Sequence, residues 1–181
     1  MNFNPATIVG IVACESIGGS TARAVRSVLE AAESRAQTSV VELASTDQAT
    51  ALAAVASVDA VVFGSPVYRA GWSSLLKRFS EKTERGLYGE KEAPLQGKAA
   101  AIVLTGASDH HFLAGGELRA VLSGFFAVQV LAPLLYFHSS DWKSGTVKPA
   151  PESTRAVGNA LVDLAQAIKS SSHLQGLRPL V

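Results

Sequence analysis

Residues 59–72, DAVVFGSPVYRAGW, decide the fold. Asp59 to Gly64 is an apolar, β-branched run without polar alternation, the pattern of a strand covered on both faces of a parallel sheet. Ser65-Pro66 punctuates the run and is expected to end the strand. An aromatic turn follows, with Tyr68, Arg69 and Trp72.

The same grammar repeats on either side. Thr7 to Ala13 (TIVGIVA) and Lys98 to Thr105 (KAAAIVLT) are further buried-strand runs, and Ser39 to Leu43 (SVVEL) is a shorter one. Val128 to His138 contains a last strand broken near Pro133. Between them lie helical patterns at Thr21–Ser34, Asp47–Ser57, Trp72–Lys82 and Leu113–Phe126. Another runs from Pro151 to Lys169, with Pro151 suited to its first position and Val157, Leu161, Leu164 and Ile168 on one face. Glu84 to Gln96, charged and bearing Gly86, Gly89 and Pro94, reads as an exposed excursion. Five strands alternating with helices predict a five-stranded parallel α/β sheet, doubly wound, in one domain spanning 1–181. Residues 171–181 read as a tail that is either mobile or committed to an oligomer contact.

Composition narrows the class. The chain has 181 residues, 48% hydrophobic and 17% charged, so a large core is expected rather than disorder. Its net charge of +1 and lack of a basic tract argue against nucleic acid as a partner. The single cysteine, Cys14, cannot form an internal disulfide and reads as a small buried hydrophobe at the end of the first strand. The N-terminus lacks the marks of a signal peptide, and no apolar stretch approaches about 18 residues, so a cytoplasmic location without a membrane anchor is expected.

In doubly wound sheets ligands bind beyond the carboxyl ends of the strands, which nominates three loops. Cys14–Thr21 (CESIGGST) offers Ser16, Gly19, Ser20 and Thr21 beside a helix N-terminus, a geometry that suits phosphate. Ser20 or Thr21 serves equally well as a plain N-cap, and Glu15 must point away from any anion. Ser65–Trp72 offers Pro66, Val67, Tyr68 and Arg69 as apolar and cationic surface for a ring ligand, while Trp72 is better explained by packing. Thr105–Phe112 offers Thr105, Gly106, Ala107, Ser108 and His111. The adjacent pair His110 and His111 diverges and lacks a third ligand, so no metal is expected. No GxSxG elbow or nucleophile–base pair supports a hydrolase.

The runs GSPVYRAGWSSLLKRF, LQGKAAAIVLTGASDHHF and LRAVLSGFFAVQV together resemble the NADPH-dependent FMN reductase family. The likeness is nearest the branch serving alkanesulfonate-type monooxygenases and spans roughly residues 6 to 140. It implies a flavodoxin-like fold with strand order 2-1-3-4-5, bound FMN, hydride delivery from NADPH or NADH, and a homodimer or homotetramer. It also implies a flavin-dependent monooxygenase as recipient of reduced flavin. By position, Ser16, Ser20 and Thr21 hold the phosphate; Pro66, Val67 and Tyr68 line the ring, with Gly106, Ala107, Ser108 and His111 on its other side. No acid–base residue is needed for hydride transfer.

Two departures carry consequences. The family's first loop usually reads near GSxRxxSxT, whereas here Ser16 stands in place of the arginine and Glu15 precedes it. Loss of a charge-assisted contact costs about 1.5–3 kcal/mol, which favours FMN as an exchangeable substrate. The same change leaves room for a degraded, non-enzymatic flavin site. Related members with tightly held FMN reduce quinones or azo dyes. Some monooxygenase-linked reductases also carry an extra residue that makes a π-bulge in the helix after the fourth strand; the shorter segment Thr105–Leu122 predicts none here.

Overall fold

The computed structural model describes residues 5–138 and 152–179. Its elements run β1 (Ala6–Val12), α1 (Ser20–Ala32), β2 (Ala36–Glu42), α2 (Gln48–Ala56), β3 (Ala60–Tyr68), β4 (Gly71–Trp72) and α3 (Ser74–Glu81). After the excursion come β5 (Ala99–Gly106), α4 (Ala114–Ala120), β6 (Gln129–Val130), β7 (Leu135–His138), α5 (Glu152–Lys169) and α6 (Ser172–Gln175). The parallel sheet is ordered β2-β1-β3-β5-β6, with β7 continuing beside β5 after the break over residues 131–134. Counting β6 and β7 as one interrupted strand, this is the flavodoxin-like order 2-1-3-4-5.

Alternation along the central strands feeds two cores. Ile8, Val12, Val62, Ala101 and Val103 pack under α1 and α5 on one face. Val9, Ile11, Val61, Phe63, Ile102 and Leu104 pack under α2, α3 and α4 on the other. Burial on both faces explains why these strands read as continuous apolar runs. Among the described residues no helix is long and apolar enough to cross a membrane.

Several boundaries differ from the sequence reading. β3 does not stop at Ser65-Pro66 but continues to Tyr68. The Gly64 carbonyl accepts the Ala13 amide, so Pro66, two residues on, faces the same side, beyond the end of β1. Its missing N–H therefore costs no ladder bond there. Trp72 lies in β4, paired with Val67, rather than opening a helix; Ser73 caps α3 by accepting the Leu76 amide at 3.3 Å. The first position of α5, Pro151, lies outside the described residues.

The helix after β5 does widen into a π-turn at Val121–Phe125, contrary to the expectation of none. Ala114, Leu118, Leu122 and Phe126, each four residues apart, are all buried. In a regular α-helix that spacing drifts by about 40° per step, and a wider turn returns Phe126 to the core face. Most of this turn lies beyond Leu122, outside the segment Thr105–Leu122 whose length predicts no bulge.

The described C-terminal residues, 171–179, dock on their own chain. Arg178 Nη1 donates to Gln96 Oε1 at 2.7 Å, and a Cβ on Gly97 would lie 2.8 Å from the Gln175 carbonyl. At the same end of the sheet, Lys98 Nζ donates to the carbonyls of Ala56 and Val58, closing the end of α2.

Asp59 joins β1, β3 and α5. Its Oδ2 accepts Thr7 N at 2.9 Å, Thr7 Oγ1 at 3.0 Å and Lys169 Nζ at 3.1 Å. Partial burial pushes its pKa up, but the Thr7 bonds and Lys169 outweigh that and hold it below the ordinary carboxylate value. A depressed carboxylate stabilises the fold above its unfolded pKa and loses that contribution as pH falls through the folded one. Asp59→Ala is expected to cost about 1–2 kcal/mol at neutral pH, and urea melts should show this difference shrinking below about pH 4.

Candidate functional site

The three nominated loops converge at the carboxyl ends of β1, β3 and β5. They enclose a cleft of about 460 Å³ lined by Cys14, Ser16, Gly19, Ser20, Thr21, Arg23, Pro66, Val67, Tyr68, Thr105, Gly106 and Ala107.

The first loop is built around glycine. Gly18 has φ +66°, and its N–H donates to Glu42 Oε2 at 2.9 Å; the same carboxylate takes Arg26 Nη2 at 3.3 Å. The last residue of β2 thus pins the loop to the sheet. The N-cap of α1 is Gly19, with no side-chain cap, and not Ser20 or Thr21. The amides of the first turn therefore lack a capping acceptor, which is the electrostatic setting that binds anions. Thr21 is buried and pairs with Thr105 at 2.7 Å between the hydroxyl oxygens, joining the first and third loops beneath the cleft.

The second loop is a tight hairpin, Val67 facing Trp72 and Tyr68 facing Gly71. Its two connecting residues, Arg69 and Ala70, have φ of 51° and 62°. Both positions are left-handed, the geometry of a type I′ turn that usually takes Asn-Gly. The strain is offset by a buried network beneath. Ser65 Oγ accepts the Ser73 amide at 2.9 Å, and Ser73 Oγ donates to the Ala13 carbonyl at 2.6 Å.

This hairpin projects Tyr68 over the cleft, 57% exposed. Burial of part of the side chain pushes its phenol above the ordinary pKa, with Cys14 and Glu15 adding to the effect. Glu15 is exposed and does not line the cleft. Arg69, at the hairpin tip, is exposed and does not line the cleft. Trp72 is half-buried against the core with Lys77 Nζ 5.6 Å from its ring centre, so packing accounts for it.

The third loop needs Gly106. A Cβ there would lie 2.5 Å from Tyr136 Oη and 2.8 Å from His111 Nδ1. Tyr136 Oη and the His111 amide both donate to the Ser108 carbonyl, curling the loop over β5. Ser108 and His111 do not line the cleft themselves. His111 Nδ1 is buried with no hydrogen-bond partner among the described residues, an orphan beside the cleft wall. The side chain of His110 lies outside the described residues. No cluster of His, Cys, Asp or Glu among the described residues is placed to hold a metal.

Two lining residues escaped the sequence reading. Cys14 was read as a core residue and is indeed buried, yet it also forms cleft floor next to Tyr68. Arg23 lies just outside the three nominated loops. Its signal was legible: it lies three residues after Ser20, on the same face of α1.

Uncapped first-turn amides, loop hydroxyls, the exposed Tyr68 ring and the glycine wall at Gly106 fit a phosphate-bearing ring ligand such as FMN. Residues 6–141 match the family described as NADPH-dependent FMN reductase. Among curated proteins there is no significant match. Solved structures do resemble the chain. An apo NADH:FMN oxidoreductase (EmoB) aligns at 19% identity over 95% of both chains, with a TM-score of 0.73. A Corynebacterium diphtheriae oxidoreductase aligns at 20% identity over 93% of this chain and 99% of that one, TM-score 0.68. A WrbA-like flavodoxin protein from Agrobacterium tumefaciens aligns at 20% over 90% and 98%, TM-score 0.70. At these identities the structural likeness speaks for the flavodoxin-like fold, while the match across most of the chain speaks for the family. The chain belongs to the NADPH-dependent FMN reductase family and is a flavin oxidoreductase.

Proposed function

We propose that the protein reduces FMN as an exchangeable substrate and releases reduced flavin to a partner monooxygenase. The observation that carries this reading is the convergence of the three loops on one open cleft whose first loop holds no cation, leaving the exposed Arg23 of α1 as the single positive charge among its lining residues. Bound there, FMN supplies a hydride acceptor for reduced nicotinamide.

The chain's own residues bind and orient. Ser16, Gly19, Ser20 and Thr21 hold the phosphate; Pro66, Val67 and Tyr68 flank the ring; Thr105, Gly106 and Ala107 form its opposite wall. Ser108 and His111 shape that wall from behind. Arg69, out on the hairpin tip, is better placed to meet an incoming dinucleotide than the flavin. Hydride transfer needs no acid or base from the protein, so positioning is the protein's main contribution.

Steady-state oxidation of NADH and NADPH with FMN, riboflavin or no added flavin tests the reading. Turnover that depends on added FMN, from protein purified colourless, is the expected result. Yellow protein whose rate with a quinone needs no added flavin would replace it with a tightly bound FMN reductase. No flavin binding at all would leave a flavodoxin-like subunit without the activity.

A further inference from the structure

Resting on the flavin reading, we propose that Arg23 supplies from α1 the cationic phosphate contact that the first loop has lost, and thereby sets discrimination between phosphorylated and unphosphorylated flavin. The family's loop arginine is Ser16 here, so the loop itself has no cation from Cys14 to Thr21. Arg23 lines the same cleft as Ser16, Gly19 and Ser20, one helical turn behind the uncapped N-terminus.

Two further observations describe the setting of Arg23. The first is its pairing. Arg26, three residues on, is neutralised by Glu42 at 3.3 Å, and Arg35 by Asp163 at 2.5 Å. Arg23 is exposed and has no ion-pair partner among the described residues.

The second is its place on the helix. The first turn of α1 holds no acidic residue, and a cation there opposes the positive end of the helix dipole. An unpaired arginine at such a position is locally unfavourable until an anion arrives between the two, when dipole, amides and guanidinium all act together. Glu15 and Glu30, the nearest acids in sequence, form no ion pair with it among the described residues. The guanidinium is a planar fork that matches a terminal phosphate in two hydrogen bonds, which a lysine at the same point does not reproduce.

The ligand feature recognised is the dianionic phosphate, so the probe pair is FMN and riboflavin, which share the ring and differ in that group. Fluorescence titration of each flavin is measured for the wild type, Arg23→Gln, Arg23→Lys and, as a distant control, Arg35→Gln. The expected result is a fall of about ten- to a hundredfold in the ratio of FMN to riboflavin affinity for Arg23→Gln. Partial recovery is expected for Arg23→Lys, with no change for Arg35→Gln. An unchanged ratio in Arg23→Gln, whether both affinities hold or both fall together, overturns the assignment. A wild type that binds riboflavin and FMN equally overturns it as well. A folded wild type that binds neither flavin overturns the flavin reading itself, and this inference with it.

Discussion

Replacing Ser73 with alanine is expected to destabilise the protein by about 2–4 kcal/mol, the sum of a lost helix cap and an orphaned buried carbonyl. Ser73 is 4% exposed. Its hydroxyl accepts the Leu76 amide at the start of α3 and donates to the Ala13 carbonyl, where the chain leaves β1. Its backbone amide goes to Ser65 Oγ, which alanine leaves intact. Alanine therefore removes this tie between the hairpin and the start of the first loop while keeping the bond within the hairpin itself. Urea unfolding reads the stability loss. The hairpin carries Tyr68 and the loop carries Ser16, so flavin affinity should fall in the same variant even below its melting range. Threonine, which keeps the hydroxyl, should restore most of both. A Ser73→Ala protein with wild-type stability would mean that water takes over the Ala13 carbonyl.

Gly64→Ala is the second large effect, about 3 kcal/mol from overpacking. A Cβ on Gly64 would lie 2.3 Å from Val25 Cγ2 and 3.3 Å from Thr21 Cγ2, and one on Gly10 would lie 2.5 Å from Val25 Cγ1. Val25 is thus a knob on α1 seated in a hole made by two glycines on adjacent strands. Filling the hole pushes α1 off the sheet, and α1 carries the phosphate end of the cleft. A lowered melting temperature, about 6–12 °C for a chain of this size, should come with weaker FMN binding. The double variant Gly64→Ala, Val25→Ala should recover much of the stability, because the second change removes the clashing methyls. Failure of that rescue would place the cost in the strand rather than in the helix contact.

What was legible in the sequence was everything set by local pattern. Unbroken apolar runs at 7–13, 59–64 and 98–105 meant strands covered on both faces, and glycine with hydroxyl residues after the first meant a loop opening a helix. Those signals survive because side-chain period and turn chemistry are properties of neighbouring residues. The three-loop resemblance then named the family before any contact was known. The four-residue spacing of Ala114, Leu118, Leu122 and Phe126 was also present, but its meaning as a wide turn needed the position of the core.

Other features depended on which distant residues meet. Glu42 ends β2 and holds Gly18, while Thr21 and Thr105, far apart in sequence, share one hydrogen bond. No local rule predicts either pair. Pro66 was read as a strand end because its missing N–H usually matters; only the register showed that it faces past the end of β1. Arg23 belongs to the same class. Its charge is plain in the sequence, but its place in the cleft and its lack of an ion-pair partner among the described residues are relations between elements, and the tertiary packing of α1 on the sheet decided them.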